Sequence, residues 1–312
     1  MATTLVSHPS CARLLAPHHR RSPVLRVRRG VAAALAVLLP LRWRPRLGPE
    51  NQRGAQQDRI IGGPEALARR LAHQLDVRLD TPAQSVRQHD DTVIVQTQHG
   101  TLVAGQVVVA IPPALYGRID FQPGLPGPKA QLHQHMPMGS VIKTHTIYTT
   151  PWWRDLGLNG QANGADQPVG VVFDNSPADG TAGVLLGFFE GDHARRASAL
   201  GPDERRQIVQ DALVSYFGEQ ARESIGYVEN DWCHEPWSGG AYGGRFTTGG
   251  WITYGPTLRQ PHGHIHFAGT ETAKIWNGYI DGAISAGERE ANEIVAVRSN
   301  ETAAAVEEHG RS

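Results

Sequence analysis

The 312-residue sequence has few cysteines, no excess of charge of either sign and no long apolar run. Its two cysteines, Cys11 and Cys233, exclude a disulfide framework and a cysteine-rich metal site, and they predict a reducing compartment. The formal net charge is zero, which gives no indication of a nucleic-acid partner. The apolar run from Val31 to Leu41 is too short to span a bilayer as a helix. We therefore expect a cytoplasmic protein with no metal site, nucleic-acid ligand or membrane anchor.

The neutral total conceals an uneven distribution of charge. Residues 1–49 contain nine arginines and no acidic residue, so the rest of the chain carries 21 basic and 30 acidic residues, a net charge of −9. The first segment shows neither helical nor strand periodicity. We predict that residues 1–55 are disordered and unrelated to the rest of the chain. A misread gene start and a targeting segment both remain open as explanations of this composition.

The order of apolar segments predicts an α/β (α+β) chain with several parts. Within residues 56–120, a helix after Gly63 is followed by strands over 76–79, 93–95 and 107–111. Residues 121–240 are predicted to form a separate lobe, with strands over 138–148, 169–174 and 183–189. Pro202 and Gly218 delimit a predicted helix over 203–217. Residues 241–297 return to the first part, and 298–312 form a polar tail.

The stretch from His264 to Val297 organises the rest of the chain. A short strand over 264–268 ends at Gly269, Asn277 and Gly278 form a turn, and a helix begins at about Tyr279. Small residues spaced three to five apart are expected to line one face of this helix: Gly282, Ala283, Ala286, Gly287 and Ala291. Such a strand, turn and helix N-terminus can hold an electron-rich cofactor, or can simply be a close contact between helix and sheet.

Three motifs in this stretch carry a specific resemblance. They are F-A-G-T-E-T over 267–272, W-x-G-Y-x-x-G-A over 276–283 and A-G-E-R over 286–289, and they resemble the C-terminal signature of flavin-containing amine oxidases, the monoamine oxidase family. The resemblance covers about residues 57–297. It implies a partial FAD-binding domain plus a mixed-sheet substrate-binding lobe. The G-x-G-x-x-G turn with which that family begins does not occur in the sequence.

The resemblance also implies roles for individual residues. Tyr242 and Tyr279 match two tyrosines that face each other across the substrate path, and Lys143 matches a strand lysine that reaches the flavin through a water. We name these three as catalytic, with Phe188 as a further wall of the substrate cavity. The positions that match cofactor contacts are Ala83, Trp232, Gly269, Thr270, Glu271, Gly278, Tyr279 and Ile280. Two buried core tyrosines, a solvent-facing lysine and a surface acid are the structural alternatives.

The resemblance further predicts how the cofactor is held. Mitochondrial members tether their flavin through a cysteine just before the first tyrosine, and here that position is Ala241. We therefore expect non-covalent FAD. Cys233 lies eight residues earlier and does not match the tethering position.

The function that follows is oxidative deamination of primary or other amines, with oxygen as acceptor. Two alternatives stay open: a non-catalytic fragment of an amine oxidase, and an L-amino-acid oxidase, which requires a cavity arginine for the substrate carboxylate. The expected partners are a small amine and oxygen, and a homodimer or a companion chain stays open. Because the glycine-rich turn is missing, we do not expect the 312 residues to oxidise amines alone.

Overall fold

The computed structural model describes residues 5–6, 60 and 63–309, and side chains are described up to residue 297. The predicted segment 1–55, apart from residues 5–6, and the side chains of the predicted tail lie outside the described residues. The chain divides into two compact units. The smaller lies within residues 2–83 and 97–99, and the larger contains residues 84–96 and the described part of 100–312.

Thirteen strands and seven helices form among the described residues. The strands are β1 (Leu5–Val6), β2 (Val77–Arg78), β3 (Ala83–His89), β4 (Thr92–Thr97), β5 (Gly100–Ala104), β6 (Val107–Val109), β7 (Asp120–Gln122), β8 (Val141–Tyr148), β9 (Ala162–Asn163), β10 (Val171–Asp174), β11 (Gly183–Glu190), β12 (Gly226–Asp231) and β13 (Ile265–Phe267). The helices are α1 (Glu65–Ala72), α2 (Gly127–Ala130), α3 (Leu132–His135), α4 (Gly191–Ser198), α5 (Pro202–Phe217), α6 (Gly250–Thr253) and α7 (Ile280–His309).

The largest sheet has five strands in the order β12-β8-β11-β10-β9, and its neighbouring strands are antiparallel. Because side chains alternate along a strand, each face of this sheet has its own set of residues. One face carries Ile142, Leu185 and Phe189, which pack with apolar residues of α4 and α5 into a buried core. The opposite face carries Lys143 and Phe188, which are direct cross-strand partners.

Two smaller sheets lie in the larger unit. Strands β6 and β13 pair in parallel, with Phe267 opposite Val109. A second sheet has the order β5-β4-β3-β7, in which β3 and β7 are parallel. In the smaller unit, β1 and β2 form an antiparallel pair. The mixture of helices with parallel and antiparallel strands confirms the predicted fold class.

Most elements predicted from the sequence are confirmed with shifted ends. Helix α5 begins at Pro202 and ends before Gly218, which has a φ of +89°. The Glu204 carboxylate accepts a hydrogen bond of 3.0 Å from the Gly201 N–H and caps the helix start. The sequence prediction did not specify β1, β3, β5, β7, β9 and β12. Strand β12 ends in three consecutive polar residues, so its apolar content is too low to indicate a strand.

A buried lysine lies beneath β13. Lys129 of α2 is 2% exposed, and its Nζ lies 3.8 Å from the ring centroid of Phe267. The Nζ is also 3.4 Å from the Leu258 carbonyl oxygen. Burial lowers the pKa of Lys129 to about 7; Glu290 raises this pKa and Arg289 lowers it, each by less than burial does. The amine is therefore held near its titration point within the fold.

Among the described residues, no helix is both long and apolar enough to cross a membrane.

The substitution Lys129→Met tests the cost of this buried amine. Because the folded-state pKa lies below that of the unfolded chain, the charged lysine costs stability at and below pH 7, and the cost is relieved as the pH rises toward the ordinary lysine value. We expect the variant to be more stable than wild type by roughly 1–3 kcal/mol at pH 7, with a smaller difference at higher pH. Denaturant unfolding from pH 6 to 10 measures this, and a pH-independent difference would contradict it.

Candidate functional site

The chain turns sharply where β13 ends. Gly269 has a φ of +98°, a left-handed conformation that favours glycine. The next three residues, Thr270–Thr272, form a turn of 3-10 helix in which Glu271 and Thr272 are buried. The glycine lets the backbone reverse and direct the Glu271 side chain inward, so the predicted motif over 267–272 forms one compact turn.

Glu271 connects this turn to two other segments. Its side chain is 3% exposed, and its Oε1 accepts a hydrogen bond of 3.2 Å from the Gly244 N–H. Its own carbonyl oxygen accepts a hydrogen bond of 2.7 Å from Asn277 Nδ2. One buried residue therefore binds both the segment after Tyr242 and the segment before Tyr279.

Thr270 closes the turn that presents Tyr279. The Gly278 N–H donates to Thr270 Oγ1 at 2.7 Å, and the Thr270 hydroxyl donates to the Tyr279 carbonyl oxygen at 2.9 Å. Gly278 has a φ of +88°, which again favours glycine. The Tyr279 side chain is 45% exposed, and its ring packs edge-on against Trp276 at a centroid distance of 5.4 Å. Helix α7 begins at the next residue, Ile280.

The turn that carries Tyr242 is fixed by the segment leading into β8. The Ala241 N–H donates to the Gly139 carbonyl oxygen at 2.9 Å, and Met138 pairs with Gly244 in an isolated bridge. The Ala241–Tyr242 peptide bond is cis. A Cβ added at Gly139 would lie only 2.2 Å from the Ala241 carbonyl oxygen, so only glycine permits this approach.

The two tyrosine-bearing turns meet at a pair of glycines. A Cβ added at Gly243 would lie 3.9 Å from the Cα of Gly278 and 3.6 Å from the Oε1 of Glu271. Gly243 directly follows Tyr242, and Gly278 directly precedes Tyr279. The structure therefore brings together the two backbone segments that carry the predicted tyrosines, although these residues are 37 positions apart in the sequence.

Phe188 joins this site from the large sheet. Its ring lies 6.0 Å from that of Tyr242, with an angle of 60° between the ring planes. Phe188 belongs to a buried apolar cluster with Ala241, against which Trp232 packs. Lys143 is the direct partner of Phe188 on the neighbouring strand and shares its face of the sheet. Phe188, Trp232, Lys143 and Tyr242 are thus grouped around one face of the sheet.

One polar residue on the Phe188 face of the large sheet was not predicted from the sequence. Glu190 is two residues after Phe188 on β11, so both side chains are on the same face. Its Oε1 accepts a hydrogen bond of 3.1 Å from the Tyr242 hydroxyl. Tyr242 is 62% exposed, and partial desolvation of its hydroxyl, together with the adjacent Glu190 carboxylate, raises its pKa, so the phenol stays protonated. The spacing of Glu190 from Phe188 was the signal that could have identified it.

The structure corrects the prediction for the small residues of α7. Gly282 and Ala286 are buried, but Ala283, Gly287 and Ala291 are exposed, so the five residues do not line one buried face. The buried face continues from Ala286 to Glu290, because positions four apart lie above one another on a helix. A Cβ added at Gly282 would lie 2.1 Å from the Trp276 carbonyl oxygen. A glycine is therefore needed here because the 273–278 turn packs directly against the helix, and not because a ligand binds at this position.

The start of α7 offers an open surface for a flat cofactor. A Cβ added at Gly278 would meet no described atom within 4 Å, and Tyr279 and Ile280 are both partly exposed. Gly269, Thr270, Glu271, Gly278, Tyr279 and Ile280 lie within this turn and helix start. These features fit the flavin ring that the sequence predicts. Ala83, the remaining predicted contact, is the first residue of β3 and belongs to the smaller unit.

A second polar cluster lies behind the turn. His266, Glu290 and Glu293 are close enough together to suggest metal ligands. However, the Arg289 guanidinium already donates to Glu290, and its Nε lies 3.6 Å from Glu293. Arg289 also donates to the carbonyl oxygens of Phe267 and Thr272, each at 2.9 Å. The Arg289 guanidinium therefore already provides the positive charge next to these carboxylates. The cluster anchors α7 to the end of β13.

Two glycine substitutions on α7 test the packing of the site. Gly282→Ala should displace the 273–278 turn, because its methyl group would collide with the Trp276 carbonyl, and we expect a loss of at least about 2 kcal/mol. Gly287→Ala adds the same methyl group to the same helix in open space and should stabilise it by roughly 0.5–1 kcal/mol. Thermal unfolding compares them, and equal effects of the two substitutions would show that the close approach at Gly282 is wrong.

Comparison with known proteins identifies relatives of this arrangement. A family model described as "Flavin containing amine oxidoreductase" matches residues 26–295. The protein AofH of Mycobacterium tuberculosis is 40% identical over 246 residues, which cover 78% of this chain and 54% of that protein. Flavin-containing amine oxidase B of Bos taurus is 38% identical over 248 residues, covering 78% of this chain and 48% of the bovine protein.

A solved structure of putrescine oxidase bound to putrescine is also similar, with a TM-score of 0.73 and 36% identity. The match covers 75% of this chain and 53% of that one. The chain thus spans about half the length of the relatives it matches. The family is one of FAD-dependent oxidoreductases, as the sequence motifs predict. On the extent of the family match and on these identities, the chain belongs to the flavin-containing amine oxidoreductase family.

Proposed function

We propose that the chain supplies the amine-facing part of an FAD-dependent amine oxidase that deaminates primary or other amines with oxygen as acceptor. The observation that supports this most directly is the meeting of the Gly243 and Gly278 turns, which sets Tyr242 and Tyr279 on adjacent backbone segments. When bound, FAD would accept the hydride from the carbon next to the amine nitrogen. The residues of the chain would orient that carbon and restrict water.

The tyrosines would act through their ring faces. The face of an aromatic ring carries partial negative charge, which attracts an amine and aligns its N–H or C–H bonds. Because the pKa of Tyr242 is raised, its ring stays a neutral phenol and introduces no second charge at the reacting nitrogen. Phe188 adds an apolar wall next to Tyr242. This combination suits a neutral amine with an apolar substituent.

Lys143 and Ala241 support the proposed use of FAD. Lys143 lies on the same sheet face as Phe188. A lysine that contacts the flavin through a water would need to lie on this face. Ala241 occupies the position at which a tethering cysteine would lie, so we propose that FAD is held without a covalent bond. Trp232 and the 269–280 turn would contact the flavin, and Ala83 is proposed to meet the adenine.

We further propose that residues 56–120 and 241–297 form a partial FAD-binding domain and that residues 121–240 form a substrate-binding lobe. We also propose a cytoplasmic location. A homodimer or a companion chain could complete the site. A non-catalytic fragment remains the alternative from another class. An L-amino-acid oxidase is less well supported, since the Glu190 carboxylate beside Tyr242 would repel a substrate carboxylate.

The amine site can be tested on the chain itself by titrating it with benzylamine and following saturation-transfer NMR, which detects weak binding. Replacing Tyr279 by alanine removes one ring face, so we expect benzylamine affinity to fall about two- to fivefold, the value of one exposed cation–π or aromatic contact. Tyr242→Ala should have a similar effect. Added FAD should increase the wild-type affinity if both ligands share the site.

Tyr216→Phe is the matched control, because Tyr216 packs against the core on the opposite face of the large sheet. This substitution should leave benzylamine affinity unchanged. Circular dichroism spectra must be the same for all variants. If benzylamine fails to bind the wild-type chain both with and without FAD, the proposed function is wrong. If it binds and neither tyrosine matters, the site lies elsewhere.

A further inference from the structure

Trp276 has a backbone conformation that its side chain disfavours. Its φ is +61°, in the left-handed region that a bulky aromatic residue rarely adopts. The other described non-glycine residues with a positive φ are Asp80 and Asp90, and aspartate enters this region more readily. A left-handed residue of this kind persists only where its surroundings fix it, and such residues cluster at functional sites. The contacts of Trp276 therefore indicate what its conformation is for.

Trp276 and Tyr279 are the first and last residues of one β-turn. The Tyr279 N–H donates to the Trp276 carbonyl oxygen at 3.0 Å, and Gly278 has the positive φ that a type II turn requires at its third position. The indole and phenol rings meet edge to face, with centroids 5.4 Å apart and an angle of 80° between the ring planes. Aromatic rings attract each other in this arrangement. The turn therefore brings the two side chains into a favourable contact.

The start of α7 restricts the Trp276 peptide. A Cβ added at Gly282 would lie 2.1 Å from the Trp276 carbonyl oxygen, so the helix backbone packs directly against this peptide. The indole is half-buried, whereas the Tyr279 side chain is 45% exposed. Because so much of the Tyr279 ring faces solvent, its orientation depends strongly on the contacts that it does make. The edge of a half-buried and restricted indole is one such contact.

Different residues fix the backbone and the ring of Tyr279. The Thr270 hydroxyl donates to the Tyr279 carbonyl oxygen at 2.9 Å, which holds the backbone but does not set the side-chain angle χ1. An aromatic side chain can occupy three staggered χ1 rotamers, and contact with the indole favours one of them. An aromatic ring attracts an amine through its face. The rotamer of Tyr279 therefore decides whether that face is available to an amine.

We propose that Trp276 is a positioning residue for the amine site, which holds the Tyr279 ring in the rotamer that presents its face to the amine. The disfavoured backbone conformation of Trp276 is what brings the indole against that ring. This inference rests on the proposed function, because it assumes that Tyr279 receives an amine. It further implies that the conformation of Trp276 serves binding at the expense of stability, so substitutions should affect the two properties differently.

The test uses the full chain and two NMR measurements. Coupling constants in selectively labelled tyrosine report the χ1 distribution of Tyr279 without ligand, and titration reports benzylamine affinity. Wild type should show one dominant rotamer, whereas Trp276→Gly removes the indole and should let χ1 average over its staggered positions. If three rotamers become equally populated, the competent fraction is about one third, so benzylamine affinity should fall about threefold.

Further variants separate positioning from stability. Trp276→Phe keeps an aromatic ring and should restore the dominant rotamer, with benzylamine affinity within about twofold of wild type. Trp276→Ala should lose affinity as Trp276→Gly does, but it should unfold at a lower temperature than Trp276→Gly, because alanine disfavours a positive φ. Trp251→Ala is the matched control: it removes an indole that packs edge-on against Phe246, and it should leave the Tyr279 rotamer unchanged.

The outcomes distinguish this inference from the proposed function. If benzylamine binds wild type and Trp276→Gly keeps both the rotamer and the affinity of wild type, the positioning role is wrong and the proposed function stands. If Trp276→Phe loses as much affinity as Trp276→Gly, or if affinity follows the melting temperature across all variants, the role of Trp276 is structural and the proposal is overturned. If benzylamine does not bind wild type, with or without FAD, the proposed function fails and this inference fails with it.

Discussion

The geometry of the tyrosine site depends on the buried residue Glu271. This one residue accepts a hydrogen bond from the Gly244 N–H through its side chain and another from Asn277 through its backbone. Leaving a buried acceptor or donor unpaired costs roughly 1–3 kcal/mol, so both segments are strongly favoured in their present positions. Because Gly243 and Gly278 have no side chains, the two turns can then approach closely, which brings together the backbone segments that carry Tyr242 and Tyr279.

The Glu271 turn is itself supported from behind by charged residues. Arg289 and Arg259 both donate to the Thr272 carbonyl oxygen, at 2.9 Å and 2.8 Å. Two adjacent guanidinium groups would repel each other, and the fully buried Glu290 carboxylate provides a compensating charge next to Arg289. Burial alone would raise the pKa of Glu290, but the hydrogen bonds with His266 and Arg289 together lower it below its usual value. Glu290 therefore stays ionised, and α7 stays attached to β13.

Most of the residues that we assign to this site were predicted from motifs whose spacing is specific. The F-A-G-T-E-T and W-x-G-Y motifs predicted the turn and the start of α7 within one residue. The sequence does not reveal contacts between residues that are far apart in the chain. Two such contacts are the hydrogen bond from Gly244 to Glu271 and the hydrogen bond from Tyr242 to the Glu190 carboxylate. The prediction of which residues form the buried face of α7 was wrong for a related reason. Residue size alone does not distinguish a buried glycine from an exposed one, and only the approach of Trp276 makes Gly282 necessary.

The most direct test of the central claim is amide hydrogen exchange in the Glu271→Leu variant, measured by NMR. The variant keeps the backbone carbonyl that binds Asn277 but loses the carboxylate that holds the Gly243 turn against Gly278. If that carboxylate holds the two turns together, its loss should increase exchange at Gly244 by roughly tenfold or more and also increase exchange at Gly278, while β8 and β11 stay protected. Glu271→Gln, which keeps an acceptor, should change exchange much less. Increased exchange at Gly244 alone, with Gly278 unchanged, would show that the turns are held independently and would contradict the claim.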